Sequence, residues 1–277
     1  MPSAGNQQPA TRNPQPVTSN QQTASSIQFP ASCSILGVRV DALTYADLLA
    51  HIAAFIAEGT PHQIATVNPE FVMEARCNPT FAAVLAQTDL CLADGVGLLW
   101  AARRMGQSLP ERVTGSDGVP LIAQRAAERG WGLYMLGAGP GVAQRTGEIL
   151  RSRYPGLRVV GAYAGTPADA DAPEIVARIR ETRPDILFVA YGAPKQDLWI
   201  GKHREALGVP VMMGVGGSFD FIAGVQKRAP RWVQRVNLEW FYRLVTQPWR
   251  WRRQLALPRF AWAVVIGAKE QGSGTRD

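Results

Sequence analysis

Residues 132–141 read GLYMLGAGPG, an apolar run that passes directly into a glycine-rich turn. The apolar run predicts a buried strand, and the apolar spacing of residues 141–154 predicts a helix immediately after it. A buried strand joined to a helix by a short turn is the repeating unit of a parallel sheet that helices cover. This segment therefore predicts an α/β protein.

The same alternation extends in both directions along the chain. It predicts strands at 35–40, 63–67, 90–93, 158–161, 186–190 and 209–214. It predicts helices at 44–58, 71–87 with a break at Asn78-Pro79, 96–105, 117–129, 172–182 and 195–207, the first with Thr44 and Asp47 as capping residues. The expected architecture is a Rossmann-like, mostly parallel sheet with helices on both faces, in a catalytic domain spanning residues 32–224.

Ligands of parallel sheets bind beyond the carboxyl ends of the strands. The predicted strands place Asp94, in the segment Ala93-Asp94-Gly95, at that edge. A carboxylate there can accept a proton from a substrate hydroxyl, although an Asp-Gly turn explains the same residues without chemistry. Four other positions are predicted to share this edge, namely Asn68, Gly137, Tyr191 and Gly216.

Gly137 and Gly139 precede the predicted helix at 141–154. Glycines let the backbone approach a phosphate closely, and a helix N-terminus supplies free N–H groups. Val142 stands where a dinucleotide fingerprint needs its third glycine, and no acid ends the next strand, so a nucleoside diphosphate fits better. A tight strand–helix turn explains the two glycines equally well.

The segment Asp169-Ala170-Asp171 matches the D-x-D pattern with which many glycosyltransferases hold a metal ion. It lies in an Ala- and Pro-rich connection ahead of a helix, and not at a strand end. A solvated turn at the start of a helix explains it better. We therefore predict no metal and no other cofactor.

Composition narrows the class of protein. Hydrophobic residues make up 46% and charged residues 18% of the 277, which excludes a largely disordered chain. Residues 1–31 are the exception, because they are polar and carry a single charge, and we predict a disordered tail there. The three cysteines fit a reducing compartment. No signal peptide and no apolar run of membrane-spanning length is recognised, so we expect a cytoplasmic protein that is soluble or attached to a membrane surface.

The net charge of +7 is local. Residues 227–253 contain eight basic residues and one acid, Glu239, so the rest of the chain is neutral. Four of the eight tryptophans lie at 232, 240, 249 and 251. We therefore predict a helical appendage at 225–277, because basic residues interleaved with aromatics fit an anionic membrane surface or a lipid-linked diphosphate. Packing of these tryptophans on the α/β body is the alternative. A non-catalytic membrane- or nucleic-acid-binding module is the competing functional class.

Several short motifs in this order resemble the WecG/TagA/CpsF family of bacterial glycosyltransferases, glycosyltransferase family 26. The similarity spans roughly residues 34–255. The motifs are Thr66-Val67-Asn68-Pro69, Ala93-Asp94-Gly95-Val96-Gly97, Arg112-Val113-Thr114-Gly115, Gly192-Ala193-Pro194-Lys195-Gln196, Gly214-Val215-Gly216-Gly217, and Arg228-Ala229-Pro230 with Leu238-Glu239-Trp240.

The resemblance implies metal-independent, inverting transfer of a sugar from a UDP-sugar to a polyprenyl-diphosphate-linked saccharide at the cytoplasmic membrane face. The donor sugar would be N-acetylmannosamine, its uronic acid, glucose or another hexose. The resemblance further implies that Asp94 is the general base. The implied substrate-binding residues are Thr66, Asn68, Arg112, Gln196 and the appendage arginines Arg243, Arg250 and Arg253, and no nucleic acid is an expected partner.

Overall fold

A computed structural model of the chain describes residues 29–230, 232–233, 239–246, 251 and 255–273. The strands are β1 (Ser32–Ile35), β2 (Val38–Asp41), β3 (His62–Val67), β4 (Leu90–Ala93), β5 (Gly132–Gly137), β6 (Arg158–Tyr163), β7 (Ile186–Ala190) and β8 (Val211–Gly214). The helices are α1 (Tyr45–Glu58), α2 (Pro69–Cys77), α3 (Pro79–Gln87), α4 (Val96–Arg104), α5 (Gly115–Arg129), α6 (Val142–Arg153), α7 (Ala172–Thr182), α8 (Lys195–Leu207), α9 (Ser218–Ile222), α10 (Glu239–Thr246) and α11 (Ala256–Ser273).

Strands β3 to β8 form one sheet in the order β4-β3-β8-β7-β5-β6. Every neighbouring pair in this sheet is parallel, which confirms the predicted Rossmann-like α/β class. The chain leaves β5 towards β6 on one side, and it leaves β7 towards β8 on the other. The connections therefore change direction between β5 and β7, and a crevice opens at such a point beyond the strand ends.

Helices cover both faces of the sheet. Side chains of α1, α5 and α6 pack with the sheet in one buried cluster, and those of α7 and α8 pack in a second. A third cluster joins β1, β2 and the helices α2, α3 and α4 near the β4 edge. The central strands β5, β7 and β8 are buried along their whole length, as apolar strands covered on both faces should be.

The predicted single strand at 35–40 is wrong. Strands β1 and β2 form an antiparallel hairpin outside the main sheet, with Ile35 paired to Val38. Leu36 and Gly37, between them, have φ angles of 51° and 87°. Two consecutive residues with positive φ make a tight hairpin turn. The sequence did not predict this turn, because its first position usually carries Asn, Asp or Gly and here carries leucine.

Local end signals were more informative elsewhere. Thr44 caps α1 and forms a capping box with Asp47, as predicted. The predicted break at Asn78-Pro79 is confirmed, because α2 ends there and α3 begins with Asn78 as its N-cap. The short helix α9 is absent from the sequence-based prediction, since five residues carry too little periodicity to recognise.

The last helix, α11, packs against α2 and α4. Its side chains Phe260 and Val264 are fully buried in the cluster that also contains the hairpin. Among the described residues, the helices are too short or too polar to cross a membrane. Residues 1–28 of the predicted tail lie outside the described residues, and the predicted boundary at residue 224 remains a prediction.

Gly137 and Gly139 are a matched pair for testing the turn after β5. Gly137 has a φ of 102°, and a Cβ there would lie 2.8 Å from the carbonyl carbon of Ala190 and 2.9 Å from its oxygen. A Cβ on Gly139 would meet only a Val142 methyl group at 3.6 Å. We predict that Gly137→Ala lowers the free energy of unfolding by at least about 2 kcal/mol.

The measurement is urea unfolding of both variants and the parent. Gly139→Ala should stay close to the parent midpoint. Equal midpoints for the two variants would contradict the close approach of β5 and β7.

Candidate active site

A cavity of about 250 Å³ opens beyond the carboxyl ends of β3, β4 and β8. Parallel pairing brings these three strand ends together, although residues 67 and 214 are far apart in the chain. Five of the predicted site residues line this cavity: Thr66, Asn68, Asp94, Arg112 and Gln196. Gly216 lines it as well, whereas Gly137, Gly139 and Tyr191 do not.

Asp94 follows β4 directly and is half-buried. Its backbone N–H donates to the carbonyl oxygen of Val67 at 2.7 Å, which fixes the residue beside the end of β3. Its carboxylate Oδ2 accepts a hydrogen bond of 3.3 Å from the backbone N–H of Gly115, the first residue of α5. The N-terminus of a helix stabilises negative charge, and this hydrogen bond orients the carboxylate in the wall of the cavity.

Hydrogen bonds to the backbone fix the side chains of Thr66 and Asn68. The Thr66 hydroxyl donates to the carbonyl oxygen of Gly214 at 3.2 Å and so joins β3 to the end of β8. Asn68 is the N-cap of α2, and its Oδ1 accepts from the backbone N–H of Phe71 at 3.0 Å. Both side chains line the cavity in fixed positions, which is what a binding site for a polar ligand requires.

Gln196 is buried and braces two loops of the site. Its Oε1 accepts from the backbone N–H groups of Gly192 at 3.1 Å and Gly216 at 2.9 Å. These glycines follow β7 and β8, so one amide oxygen holds the loops of neighbouring strands together. The next residue, Asp197, is fully buried, and its burial raises the pKa of that carboxyl to about 7.

Among the described residues, two arginines line the cavity, and sequence reasoning singled out only Arg112 as a site residue. The other, Arg228, donates from Nη1 and Nη2 to both carboxylate oxygens of Asp117, with Nη2 at 2.9 Å from Oδ2. Asp117 also accepts from the hydroxyl of Thr114, the N-cap of α5. Arg228 thus clamps the start of the helix that orients Asp94. Its signal in the sequence was the Arg228-Ala229-Pro230 motif.

The C-terminal segment contributes to the cavity wall. Trp240 of α10 and Leu257 of α11 line it, together with Glu70 of α2 and Ser116 of α5. The aromatic composition of residues 232–251 pointed to this segment, but the pattern could not show which tryptophan reaches the site. The cavity therefore lies between the parallel sheet and the chain that follows residue 224.

A profile of the glycosyl transferase WecG/TagA/CpsF family matches residues 33–273. The chain belongs to this family. An N-acetylglucosaminyldiphosphoundecaprenol N-acetyl-beta-D-mannosaminyltransferase of Bacillus spizizenii is 37% identical over 202 residues, which is 73% of this chain and 78% of the relative. The enzyme of the same name from Staphylococcus aureus is 32% identical over 236 residues, which is 84% of this chain and 92% of the relative. This chain is therefore a glycosyltransferase of the hexosyltransferase type.

The D-x-D segment of this family member lies away from the cavity. Asp169 is exposed and forms an ion pair with Lys202 at 2.7 Å. Asp171 accepts a hydrogen bond from Thr166. Within the part of the chain that the structure describes, three or more Asp, Glu, His or Cys side chains are nowhere grouped to hold a metal ion.

The three appendage arginines are only partly placed. Arg243 follows Trp240 by three residues within α10, but its side chain lies outside the described residues. Arg250 and Arg253 also lie outside them. Their predicted contact with substrate remains a prediction.

The clamp between Arg228 and Asp117 gives a pH-dependent prediction for this glycosyltransferase. Hydrogen bonds from Arg228 hold the pKa of Asp117 below its usual range. A depressed folded-state pKa stabilises the protein above the unfolded-state pKa, and that contribution is lost as pH falls through the folded-state value. We predict that Arg228→Ala costs about 1 kcal/mol at neutral pH, because 39% of the Asp117 side chain is exposed and water screens the pair.

The measurement is urea unfolding at a series of pH values from neutral into the acid range. The stability gap between parent and variant should narrow as pH falls through the pKa of Asp117. The same substitution in an Asp117→Asn background is the control, and it should show a pH-independent gap. If the stability difference between the parent and Arg228→Ala does not change with pH while Asp117 is present, the hydrogen-bonded pair of Arg228 and Asp117 is contradicted.

Proposed function

We propose that this glycosyltransferase moves an N-acetylhexosamine-type sugar or another hexose from a UDP-sugar to a polyprenyl-diphosphate-linked saccharide during synthesis of a surface polysaccharide. The observation that carries the proposal is Asp94, a carboxylate oriented by the N-terminus of α5 in a cavity beyond a parallel sheet. The relatives support the acceptor class, because their names specify N-acetylglucosaminyldiphosphoundecaprenol as acceptor and N-acetylmannosamine as the transferred sugar.

Asp94 serves as the general base in this proposal. The acceptor hydroxyl loses its proton to the Asp94 carboxylate while its oxygen attacks the anomeric carbon of the donor. The bond between that carbon and the diphosphate breaks on the opposite face, and UDP leaves with the electron pair. A single displacement of this kind inverts the configuration at the anomeric carbon.

The crevice between β5 and β7 is the proposed place for the donor nucleotide. Gly137 ends β5 at this crevice, Gly139 follows it, and Gly192 after β7 borders the cavity that contains Asp94. Strand β5 lies four strands from β4, the strand that Asp94 follows, which is about 19 Å. The donor in this proposal extends from the glycine turn across the ends of β7, β8 and β3, with its sugar beside Asp94.

Cationic side chains stabilise the leaving diphosphate in this scheme. Negative charge grows on UDP as the bond breaks, so fixed arginines lower the transition state more than the ground state. Arg112 lines the cavity in the described structure. We propose that Arg243, Arg250 and Arg253 complete the set and take the place that a metal ion has in other glycosyltransferases.

A lipid-linked acceptor requires the enzyme at a membrane. We propose that it is peripheral on the inner face of the cytoplasmic membrane, because the described helices offer no membrane span and the basic residues concentrate at 227–253. Attraction to anionic lipid is about 1 kcal/mol for each basic residue near the surface, so the attachment is reversible and weakens with salt.

The Asp94→Asn substitution tests the general base. The amide keeps the size of the side chain but cannot take the proton, so turnover should fall by at least about 100-fold. UDP binding, measured by calorimetry, and the unfolding midpoint should stay near the parent values. Turnover is followed as UDP release with each candidate UDP-sugar and a polyprenyl-diphosphate N-acetylglucosamine acceptor.

Asp169→Asn is the matched control, because it removes one carboxylate from the D-x-D segment outside the cavity. In the presence of a chelator, Asp169→Asn should turn over substrate at the same rate as the parent. Near-normal turnover of Asp94→Asn would exclude this residue as the base, and loss of activity in Asp169→Asn would point to a metal at the D-x-D segment.

Arg243→Ala tests the appendage cations. Loss of one cation that stabilises the leaving diphosphate should lower kcat by about 10- to 100-fold with an unchanged unfolding midpoint. Arg252→Ala removes the same charge from the same segment and should leave kcat within about twofold of the parent, since Arg252 is not among the three proposed ligands. Equal kcat losses in both variants would indicate a general effect of segment charge.

A further inference from the structure

Helix α4 differs in charge and exposure from the other helices of the α/β body. Its sequence, VGLLWAARR, contains two basic residues and no acid. Each of the other charged helices between α1 and α9 carries at least one acidic residue. Helix α4 also exposes 41% of Trp100, and Arg103 and Arg104 beside it are exposed.

Two exposed residues of α4 lie on the side of that helix that meets α11. Phe260 of α11 packs over Gly97 of α4, with a ring carbon 3.7 Å from the position of a Cβ on that glycine. Trp100 and Arg104 follow Gly97 by three and seven residues, so they lie on the same side of α4. The tryptophan and the arginine therefore adjoin the helix that packs there.

The outer side of α11, like that of α4, exposes basic and aromatic residues. Arg259, Trp262 and Ile266 are exposed at helical spacing, with 69% of the Trp262 side chain open to solvent. Phe260 and Val264 occupy the opposite, buried side. Between Ala256 and Gly267, Arg259 is the single charged residue in the sequence of α11.

Both helices begin at the candidate active site. Val96 and Gly97 at the start of α4 line the cavity, and so does Leu257 at the start of α11. With a rise of 1.5 Å per residue, Arg104 lies about 12 Å along α4 from Val96. A flat surface that contacts both helices would therefore also lie close to the cavity entrance.

We propose that Trp100, Arg103 and Arg104 of α4 form, with the outer side of α11, a surface that binds an anionic phospholipid bilayer. Tryptophan favours the boundary between lipid headgroups and acyl chains, and arginine is attracted to anionic headgroups. The absence of acids from α4 supports a negatively charged partner. The proposal rests on the proposed function only in that a lipid-linked acceptor brings the enzyme to a membrane.

This surface assigns membrane contact to the α/β body itself, beyond the basic segment at 227–253. It would fix the orientation of the catalytic domain, because two rigid helices in contact with the bilayer restrict rotation more than one basic segment does. The cavity that contains Asp94 would then face the headgroup region, where the diphosphate of a polyprenyl acceptor lies.

The test is co-sedimentation of the full chain with acceptor-free vesicles. Phosphatidylcholine vesicles with phosphatidylglycerol are compared with pure phosphatidylcholine vesicles at low and high salt. We expect the parent to prefer the anionic vesicles. Arg103→Gln with Arg104→Gln should lower partitioning about 30-fold, the loss for two charges of about 1 kcal/mol each. Adding Trp100→Ser to this double variant should lower vesicle partitioning further at both salt concentrations.

A charge-matched control is available on the far side of the sheet. Arg151 and Arg153 end α6, beside the β6 edge, and both are exposed. Arg151→Gln with Arg153→Gln removes the same charge and should bind anionic vesicles like the parent. Arg103→Lys with Arg104→Lys should also bind like the parent, because lysine keeps the charge.

Three outcomes would overturn the proposal. They are a parent protein without preference for anionic vesicles, an α4 double variant that binds as tightly as the parent, and an α6 control with an equal loss. Turnover on a water-soluble, short-chain acceptor should be unchanged in the α4 variants, since their residues do not line the cavity. Vesicle binding uses no acceptor, so it can succeed or fail independently of the proposed transfer reaction.

Discussion

The parallel pairing of β3 with both β4 and β8 is the constraint on which the site depends. It brings the carboxyl ends of two consecutive strands, β3 and β4, together with that of β8, which lies far along the chain, at one edge of the sheet. Thr66 then reaches the carbonyl of Gly214, and the backbone of Asp94 reaches that of Val67. Because these contacts cross strands, the sheet itself fixes the positions of Thr66 and Asp94 in the cavity.

The site also requires a carboxylate with a fixed orientation. The Asp94 carboxylate accepts from the first N–H of α5, and the start of α5 is itself held by Arg228 through Asp117. One arginine from beyond residue 224 therefore supports the helix that orients the proposed base. This connection links the C-terminal segment to the catalytic group through described contacts, before any contact with substrate is considered.

The C-terminal segment also serves the fold. Phe260 and Val264 are as deeply buried as the core of the sheet, so α11 completes the cluster around α2, α4 and the β1–β2 hairpin. Removal of residues 225–277 would expose that cluster, and point substitutions are for that reason the sharper test of the appendage arginines. The outer side of the same helix, with Trp262, remains exposed. One helix thus packs on the body and presents an aromatic surface outward.

The sequence alone determined the alternation of strands and helices, the capping of α1 by Thr44 and the break at Asn78, because these depend on the periodicity and chemistry of neighbouring residues. Its short motifs also indicated the family and the polar residues at the strand ends.

Tertiary structure alone decided three other features. The residues at 35–40 form a hairpin because Leu36 adopts a positive φ, which leucine rarely does. Gln196 braces the loops after β7 and β8, and Arg228 and Trp240 join the cavity, because strand order and helix packing place them there. Such contacts join residues far apart in the chain, and the spacing of residues along a sequence carries no information about strand order.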